Sequence, residues 1–425
     1  MGTVYRSIRG MHDFLPVEAT YSHSIEEYIK NILHHHAYFE IRFPVVEETG
    51  LFKKAIGKNT DIINKEMYNF YDKKKKTISL RPEGTVSCIR ACIQNNMFYQ
   101  SQVQKLWYHG PMFRYERPQK GRFRQFYQLG VEYFGCNDIV VDYEIIILTV
   151  NILKNLNLLS NVKLEINSIG TLKDRKNFSL VLKKFFQKHI IHLTKHEKNL
   201  LSRNPIRILD SKNQNIVKLL KLAPKLNNYL SKSSYTRFEQ LCNLLNSSKI
   251  DFIINHQLVR GLDYYNDTVF EWKSKDNLGS NHAVCSGGRY DNLIEYLGGK
   301  KNSAMGFAIG IERLLIIKKS VDTFYFNYLT IDINVLVVEV AYLMLAINVS
   351  EKLRLTWPDL KINTCLQVVK KKNYTKFSKN IKSKFLLVFS SRALNMNKIL
   401  IKNMFHKETY IPLNRIFQNP CIFKK

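Results

Sequence analysis

At 425 residues, with 45% apolar and 12% aromatic side chains, the chain can bury a sizeable core across two or three domains, which excludes a disordered polymer. A formal charge of +30 implies a surface that attracts polyanions and releases them as salt rises, although Lys/Asn tracts such as residues 370–373 give the same excess through compositional bias alone. Seven cysteines without a C-x-x-C spacing exclude a disulfide framework or zinc ribbon and point to a reducing compartment.

The first ten residues are polar and basic and lack the apolar stretch of a signal peptide, so a cytoplasmic location is expected. Ile25, Tyr28, Ile29, Ile32, Leu33 and His36 recur at helical spacing, and the chain then turns extended around Pro44. Residues 67–72 and 77–80 are predicted hairpin strands around a solvated tip of four lysines, 73–76. Thr85 is a candidate cap for the next helix, in which Cys88 and Cys92, four apart, belong to the core. Two longer strands, 103–115 and 124–134, flank a basic loop, 116–123, as an antiparallel hairpin.

Residues 171–250 turn helical and Lys-rich, with a break at Asn204-Pro205, and strand-like sequence resumes at Asp251. This reads as an inserted helical domain. Seven of the eighteen glycines fall from Gly279 to Gly310 and none follows, so composition shifts near residue 320. Residues 330–425 alternate short apolar runs with helical stretches, as a separate small α/β domain would. The longest apolar run, 333–349, is interrupted by Asn334 and Glu339 and reads as strand then helix, not as a membrane span.

Chemistry concentrates in the 124–134 strand and the loop before it. Tyr127, Leu129, Val131 and Tyr133 share one face as core, whereas Gln128, Gly130 and Glu132 share the other. Gly130, between an amide and a carboxylate, is expected to leave a hollow for a small cationic ligand. Arg114, Arg117, Arg122 and Arg124 crowd the adjoining loop with guanidinium forks suited to phosphate.

These segments acquire specificity in combination. Phe113-Arg114-Tyr115-Glu116-Arg117 resembles the second signature of class II aminoacyl-tRNA synthetases, the 306–314 string GFAIGIERL resembles the third, and Pro44 after its helix resembles the first. Within that class, the 258–265 string LVRGLDYY and the 286–291 string SGGRYD resemble two segments peculiar to histidyl-tRNA synthetases. Arg81-Pro82-Glu83-Gly84-Thr85, the 117–122 string RPQKGR and the 204–212 string NPIRILDSK are similar to a bacterial form of that family. The resemblance runs from about Arg6 to Leu315.

It implies an α+β fold: a class II antiparallel sheet with flanking helices over residues 1–325, an inserted helical tRNA-facing domain at 171–250, and an anticodon-binding-like α/β domain at 330–425. It also implies activation of L-histidine by ATP and transfer to the 3′ end of tRNA(His), in a homodimer whose interface would bury the apolar stripe of the first helix. Glu83, Gly84 and Thr85 would meet the histidine ammonium, Gln128 and Glu132 would help hold the substrate, and Tyr264 and Tyr265 would close its side-chain pocket. Arg114 would bind the α-phosphate, with Glu116, Arg122 and Arg313 completing the ATP site. Arg260 would be the catalytic cation on the opposite side of the α-phosphate, and both Arg114 and Arg260 would also touch histidine. Mg²⁺ would arrive with the nucleotide, and no structural metal is expected. Arg117 and Gln119 would meet the extra 5′ guanosine of histidine tRNAs.

After Leu360 the tail holds fifteen Lys or Arg against a single acid, Glu408, as an RNA-facing domain would. It departs from the family's glycine-rich turn, having Val368-Val369-Lys370-Lys371-Lys372 ahead of Asn373-Tyr374, and Ala37 stands where a glycine commonly ends the first helix. Two rival functions are a regulatory subunit of histidine biosynthesis, which shares the catalytic fold but charges no tRNA, and a tRNA-sensing module without catalysis. Intact Arg114, Arg260 and Arg313 disfavour the first, and the lack of any attached effector sequence disfavours the second.

Overall fold

In the computed structural model, which describes residues 4–57, 60–100, 103–211, 213–275, 283–322, 331–369, 383–403 and 407–423, the chain divides into two units. One comprises Met1–Phe14 and Ser22–Asp322, the other Leu15–Tyr21 and Thr323–Lys425.

The first helix, Pro16–His35, buries Ile25, Ile29 and Leu33 at the expected spacing, whereas Tyr28 on another face stays 44% exposed. After it Ala37 takes φ +58°, the left-handed conformation that explains why a glycine would suit this position. Strands follow in the order β1 (Phe39–Glu40), β2 (Val46–Glu48), β3 (Asn69–Tyr71), β4 (Thr77–Leu80), β5 (Gln104–Phe113), β6 (Gln125–Phe134), β7 (Val162–Ser168), β8 (Phe252–Ile254), β9 (Asn266–Ser274), β10 (Ala283–Arg289) and β11 (Ala304–Gly310). The β3/β4 hairpin carries the four lysines on an exposed tip, where Asp72 accepts the backbone N–H groups of Lys74 and Lys76.

Eight strands form one sheet in the order β1-β5-β6-β11-β10-β9-β7-β8, antiparallel throughout its centre and parallel only at the two edge pairs. The β7–β8 pair requires a long crossover, because parallel neighbours cannot be joined by a tight turn. Residues 171–250 are that crossover: helices Leu172–Gln187, Lys195–Arg203, Gln214–Leu220 and Lys232–Ser247 are joined by short 3-10 turns, one of which starts at Pro205. Thr171 and Thr194 begin two of these helices with reciprocal capping boxes to Asp174 and Glu197. The helical stretch thus lies in the same unit as the sheet, and its Phe178, Leu182, Ile208 and Leu226 join a core shared with Tyr264, Tyr265 and Val269.

Five further strands, β12 (Ile331–Val337), β13 (Ile362–Val368), β14 (Ser383–Phe389), β15 (Lys398–Asn403) and β16 (Glu408–Pro412), build a mixed sheet in the order β13-β12-β14-β15-β16. Its core joins Ile333, Val335, Leu387 and Phe389 to Ala346 and Leu353 of helix Leu343–Thr356. The 333–349 run is therefore strand then helix. The departed turn, from Lys370 to Tyr374, lies outside the described residues. Among the described residues, no helix is long and apolar enough to cross a membrane.

Candidate active site

The centre of the large sheet carries a cavity of about 330 Å³ on the face shared by β6, β9, β10 and β11. It is lined by Glu83, Thr85, Arg114, Glu116, Arg122, Gln128, Glu132, Arg260, Tyr264, Tyr265 and Arg313, so eleven residues that motif strings place across 230 positions meet at one opening. Gly84 is not among them, and Arg117 and Gln119 stand exposed in the hairpin loop, outside the lining.

One half is an acceptor pocket. Glu132, on β6 and 1% exposed, accepts from Thr85 Oγ1 at 2.8 Å, Tyr108 Oη at 3.0 Å and Tyr290 Oη. Burial pushes its carboxyl up to about 8, against the opposing pull of those hydroxyls. Glu83 accepts the backbone N–H groups of Thr85 and Val86 at 2.9 and 2.8 Å, and Tyr264 Oη at 3.3 Å, and burial raises its pKa as well. The expected cap is thereby corrected: the helix Thr85–Gln94 begins on the Glu83 carboxylate, while the Thr85 hydroxyl turns inward to Glu132. Tyr264, Tyr265 and Tyr290 close the pocket as an aromatic cluster with ring centroids 4.7 to 6.2 Å apart.

The hollow expected at Gly130 is absent, because the Tyr108 ring fills it. Tyr108 on β5 lies opposite Gly130 in the ladder, and a Cβ built on Gly130 would fall 2.1 Å from the ring. A Cβ on Gly84 would also fall 2.1 Å from the same ring. Both glycines therefore make room for a tyrosine rather than for a ligand, and the opening lies beyond it.

The other half is cationic. Arg260 sits 13% exposed, with Nη1 paired to Glu271, Nη2 donating to Ser286 Oγ at 2.8 Å, and its guanidinium 5.3 Å from the Tyr265 ring centroid. Burial opposes its charge most strongly, but the Glu271 carboxylate together with Tyr265 and Tyr264 outweighs it and leaves the guanidinium raised. Its Nε is buried and makes no hydrogen bond among the described residues. Arg114 donates to the Pro82 carbonyl at 2.8 Å, lies over Phe126, and approaches Glu116 at 3.9 Å; Arg122 approaches the same carboxylate at 3.6 Å. Arg313 is held by the carbonyls of Gly121 and Ala283, both at 2.9 Å. Burial pushes it down to about 10, with Glu116 opposing and Arg122 and Arg114 adding repulsion. Four guanidiniums facing one opening favour a polyanion. Among the described residues, no group of three or more His, Cys, Asp or Glu is placed to hold a metal.

Sequence reasoning passed over Tyr108, Tyr290 and Glu271. Tyr290 lay inside a quoted motif, and Glu271 alternates with the buried Phe270 and Trp272 along β9, a period-two signal that marked the polar face. Arg289, within the same motif as Tyr290, instead packs 1% exposed against Asp142 and Asp291 and does not line the cavity.

Comparison with known proteins identifies the family. A family model described as histidyl-tRNA synthetase matches residues 10–314. A histidine–tRNA ligase of Buchnera aphidicola subsp. Schizaphis graminum is 50% identical over 362 residues, 85% of this chain and 84% of the relative. Another, of Buchnera aphidicola subsp. Baizongia pistaciae, is 43% identical over 404 residues, 95% of each chain. The crystal structure of apo histidyl-tRNA synthetase from S. aureus matches with a TM-score of 0.80 at 30% identity, covering 99% of this chain and 100% of that one. The chain belongs to the histidyl-tRNA synthetase family.

Proposed function

We propose that this chain activates L-histidine with ATP and transfers the histidyl group to the 3′ end of tRNA(His). The observation that carries the reading is one cavity with two halves, an acceptor pocket around Glu83 and Glu132 beside four guanidiniums. Histidine supplies its own nucleophile, since its carboxylate attacks the α-phosphorus of ATP, the new C–O–P linkage forms, and the bond to pyrophosphate breaks. No proton has to be removed, so the protein's task is positioning and stabilising charge. Arg114 and Arg260 hold the α-phosphate and the incoming carboxylate; Arg122, Glu116 and Arg313 hold the rest of the nucleotide. Glu83 and Thr85 receive the ammonium group, and Gln128, Glu132, Tyr264 and Tyr265 enclose the imidazole, with Gly84 serving indirectly by seating Tyr108. Mg²⁺ bound to ATP supplies neutralisation of the leaving pyrophosphate. In the second step a hydroxyl of the terminal adenosine takes the acyl group and AMP leaves.

The exposed Arg117 and Gln119 suit the 5′ end of the tRNA, where an unpaired base offers its edges. A homodimer also belongs to this reading, but its surface differs from the stripe first expected, because Ile25, Ile29 and Leu33 are already buried within the chain. Phe39, Val46, Phe70 and Tyr71, all 40% or more exposed, supply the apolar surface instead. The cytoplasm, where tRNA and ATP are found and cysteines stay reduced, is the fitting location.

Pyrophosphate exchange tested with each of the twenty amino acids decides the matter. Exchange should depend on histidine alone. Histidine binding without exchange would instead support a regulatory protein, and equal exchange with other amino acids would refute the pocket assignment.

A further inference from the structure

The segment that carries Arg260, Tyr264 and Tyr265 has no regular secondary structure of its own, since it lies between β8 and β9. Something outside it must set its shape, and three side chains of the 171–250 crossover do so through one residue, Asp263. Arg207 Nη2 donates to Asp263 Oδ1 at 2.9 Å and to the Gly261 carbonyl at 2.7 Å. Asn204 Nδ2 donates to the same Oδ1 at 3.3 Å, and Arg175 Nη1 donates to the Asp263 carbonyl at 3.2 Å. Opposite them, the Asp263 N–H donates to the Ile56 carbonyl at 3.1 Å. Its carboxylate packs so closely on Gly57, at φ +101°, that a Cβ there would fall 2.3 Å from Oδ2.

Asp263 is three residues past Arg260 and immediately before Tyr264, so its anchorage fixes both the cationic and the aromatic wall of the cavity. The same 3-10 turn that presents Arg207, Pro205–Asp210, also brings Asp210 to the cavity lining and buries Ile208 and Leu209 in the core. The crossover is thus built into the wall of the site as well as spanning the edge of the sheet.

We infer that Arg207, seconded by Asn204, is a positioning residue for adenylation: it acts through Asp263 to hold Arg260 against the reacting phosphate and Tyr264 against histidine. Arg207 is absent from the cavity lining and reaches it through its bonds to Asp263 and Gly261. The inference rests on the adenylation reading above.

The test uses the full-length chain and histidine-dependent pyrophosphate exchange, with kcat and the KM for histidine and ATP measured separately. Arg207→Ala should lower kcat by about tenfold to 10²-fold and raise the KM for histidine, as a small misplacement of reacting groups does, with a lesser effect on the KM for ATP. Arg207→Lys, which keeps the charge but loses the fork that bridges Asp263 and Gly261, should recover only part of the loss. Asp263→Asn combined with Arg207→Ala should lose less than the product of the two single losses, because the two changes share the Arg207–Asp263 linkage while each also touches a bond of its own, Arg207 to Gly261 and Asn204 to Asp263. If Arg207→Ala lowers thermal stability so far that kinetics cannot be read, Asn204→Ala, which leaves the ion pair in place, gives the same comparison. Wild-type kcat and KM in Arg207→Ala, or losses that multiply in the double variant, overturn the inference. Failure of the wild type to exchange with histidine overturns the adenylation reading instead.

Discussion

Removing the Arg260 guanidinium should separate catalysis from binding and from folding. Arg260→Ala deletes the cation whose Nη atoms are occupied by Glu271 and Ser286 while its Nε stays buried without a hydrogen bond among the described residues. Loss of one preorganised donor at developing charge costs about 10²–10³ in rate, or roughly 3–4 kcal/mol of barrier. The structural cost is smaller. Truncating one member of a buried ion pair costs about 3–5 kcal/mol when the other charge is stranded. Glu271, however, keeps Lys273 Nζ at 3.5 Å and is itself 15% exposed, so a loss of about 1–3 kcal/mol is expected. Rapid-quench measurement of adenylate formation under single turnover, with histidine affinity from calorimetry and stability from urea unfolding, resolves the three quantities. The reasoning is refuted if adenylate forms at the wild-type rate, or if rate and ground-state histidine affinity fall by equal factors, since the cation would then be a binding group.

Gly130→Ala should destabilise the fold by about 1–3 kcal/mol and weaken histidine binding, because the new Cβ would fall 2.1 Å from a Tyr108 ring that also packs tightly on Gly84. Thermal melts should show Tyr108→Leu partly restoring stability in that background. Because Glu132 is pushed from 4.5 up to about 8 in the fold, the folded state holds more protons between those values, and ligand-free stability should fall as pH rises through that window. Glu132→Gln should remove this component, so urea unfolding from pH 5 to 9 should show a shallower decline; an identical slope would refute burial as the cause. Sedimentation at low micromolar concentration should give a dimer, and Tyr71→Glu, placed on a side chain 73% exposed, should shift it toward monomer without unfolding it. Arg117→Ala should erase most of the difference in charging between transcripts with and without the 5′ guanosine at fixed salt, and in the wild type loss of that guanosine should cost more than an anticodon swap.

What sequence made legible was whatever a local period could encode. The β5/β6 hairpin was readable because two long stretches flank a polar basic loop, the second alternating from Tyr127 to Tyr133, and the two strands pair across all ten positions. The crossover helices were readable from their lysine-rich helical text and the Asn204-Pro205 break, which the structure places at a helix end and a 3-10 start. Period two, however, assigns a face and says nothing of which side chain from the next strand lies over it. Gly130 therefore read as a hollow, although Tyr108, its cross-strand neighbour 22 positions earlier, occupies the space. The same limit explains Thr85, whose hydroxyl serves a carboxylate 47 residues away, and Asp263, whose four partners come from residues 56, 175, 204 and 207.

Burial moves the two halves of the cavity toward neutrality from opposite sides, and this ties them to one reaction. Desolvation raises Glu132 and Glu83 and lowers Arg313, so in the ligand-free pocket burial disfavours the charged form of each. An ammonium or imidazolium beside Glu132 favours its ionised form, and a polyphosphate beside Arg313 favours its protonated form. Each substrate thus relieves the penalty on groups of the opposite sign. A ligand with only one kind of charge would satisfy one half and leave the other strained, whereas histidine and ATP together satisfy both. In the proposed reading this pairing would also bring the histidine carboxylate to the arginine side of the boundary, beside the α-phosphate. The positions of Glu271 and Asp263 then follow: a cation that must stay charged at that boundary needs an acid beside it, and an irregular segment that carries the cation needs an anchor outside itself.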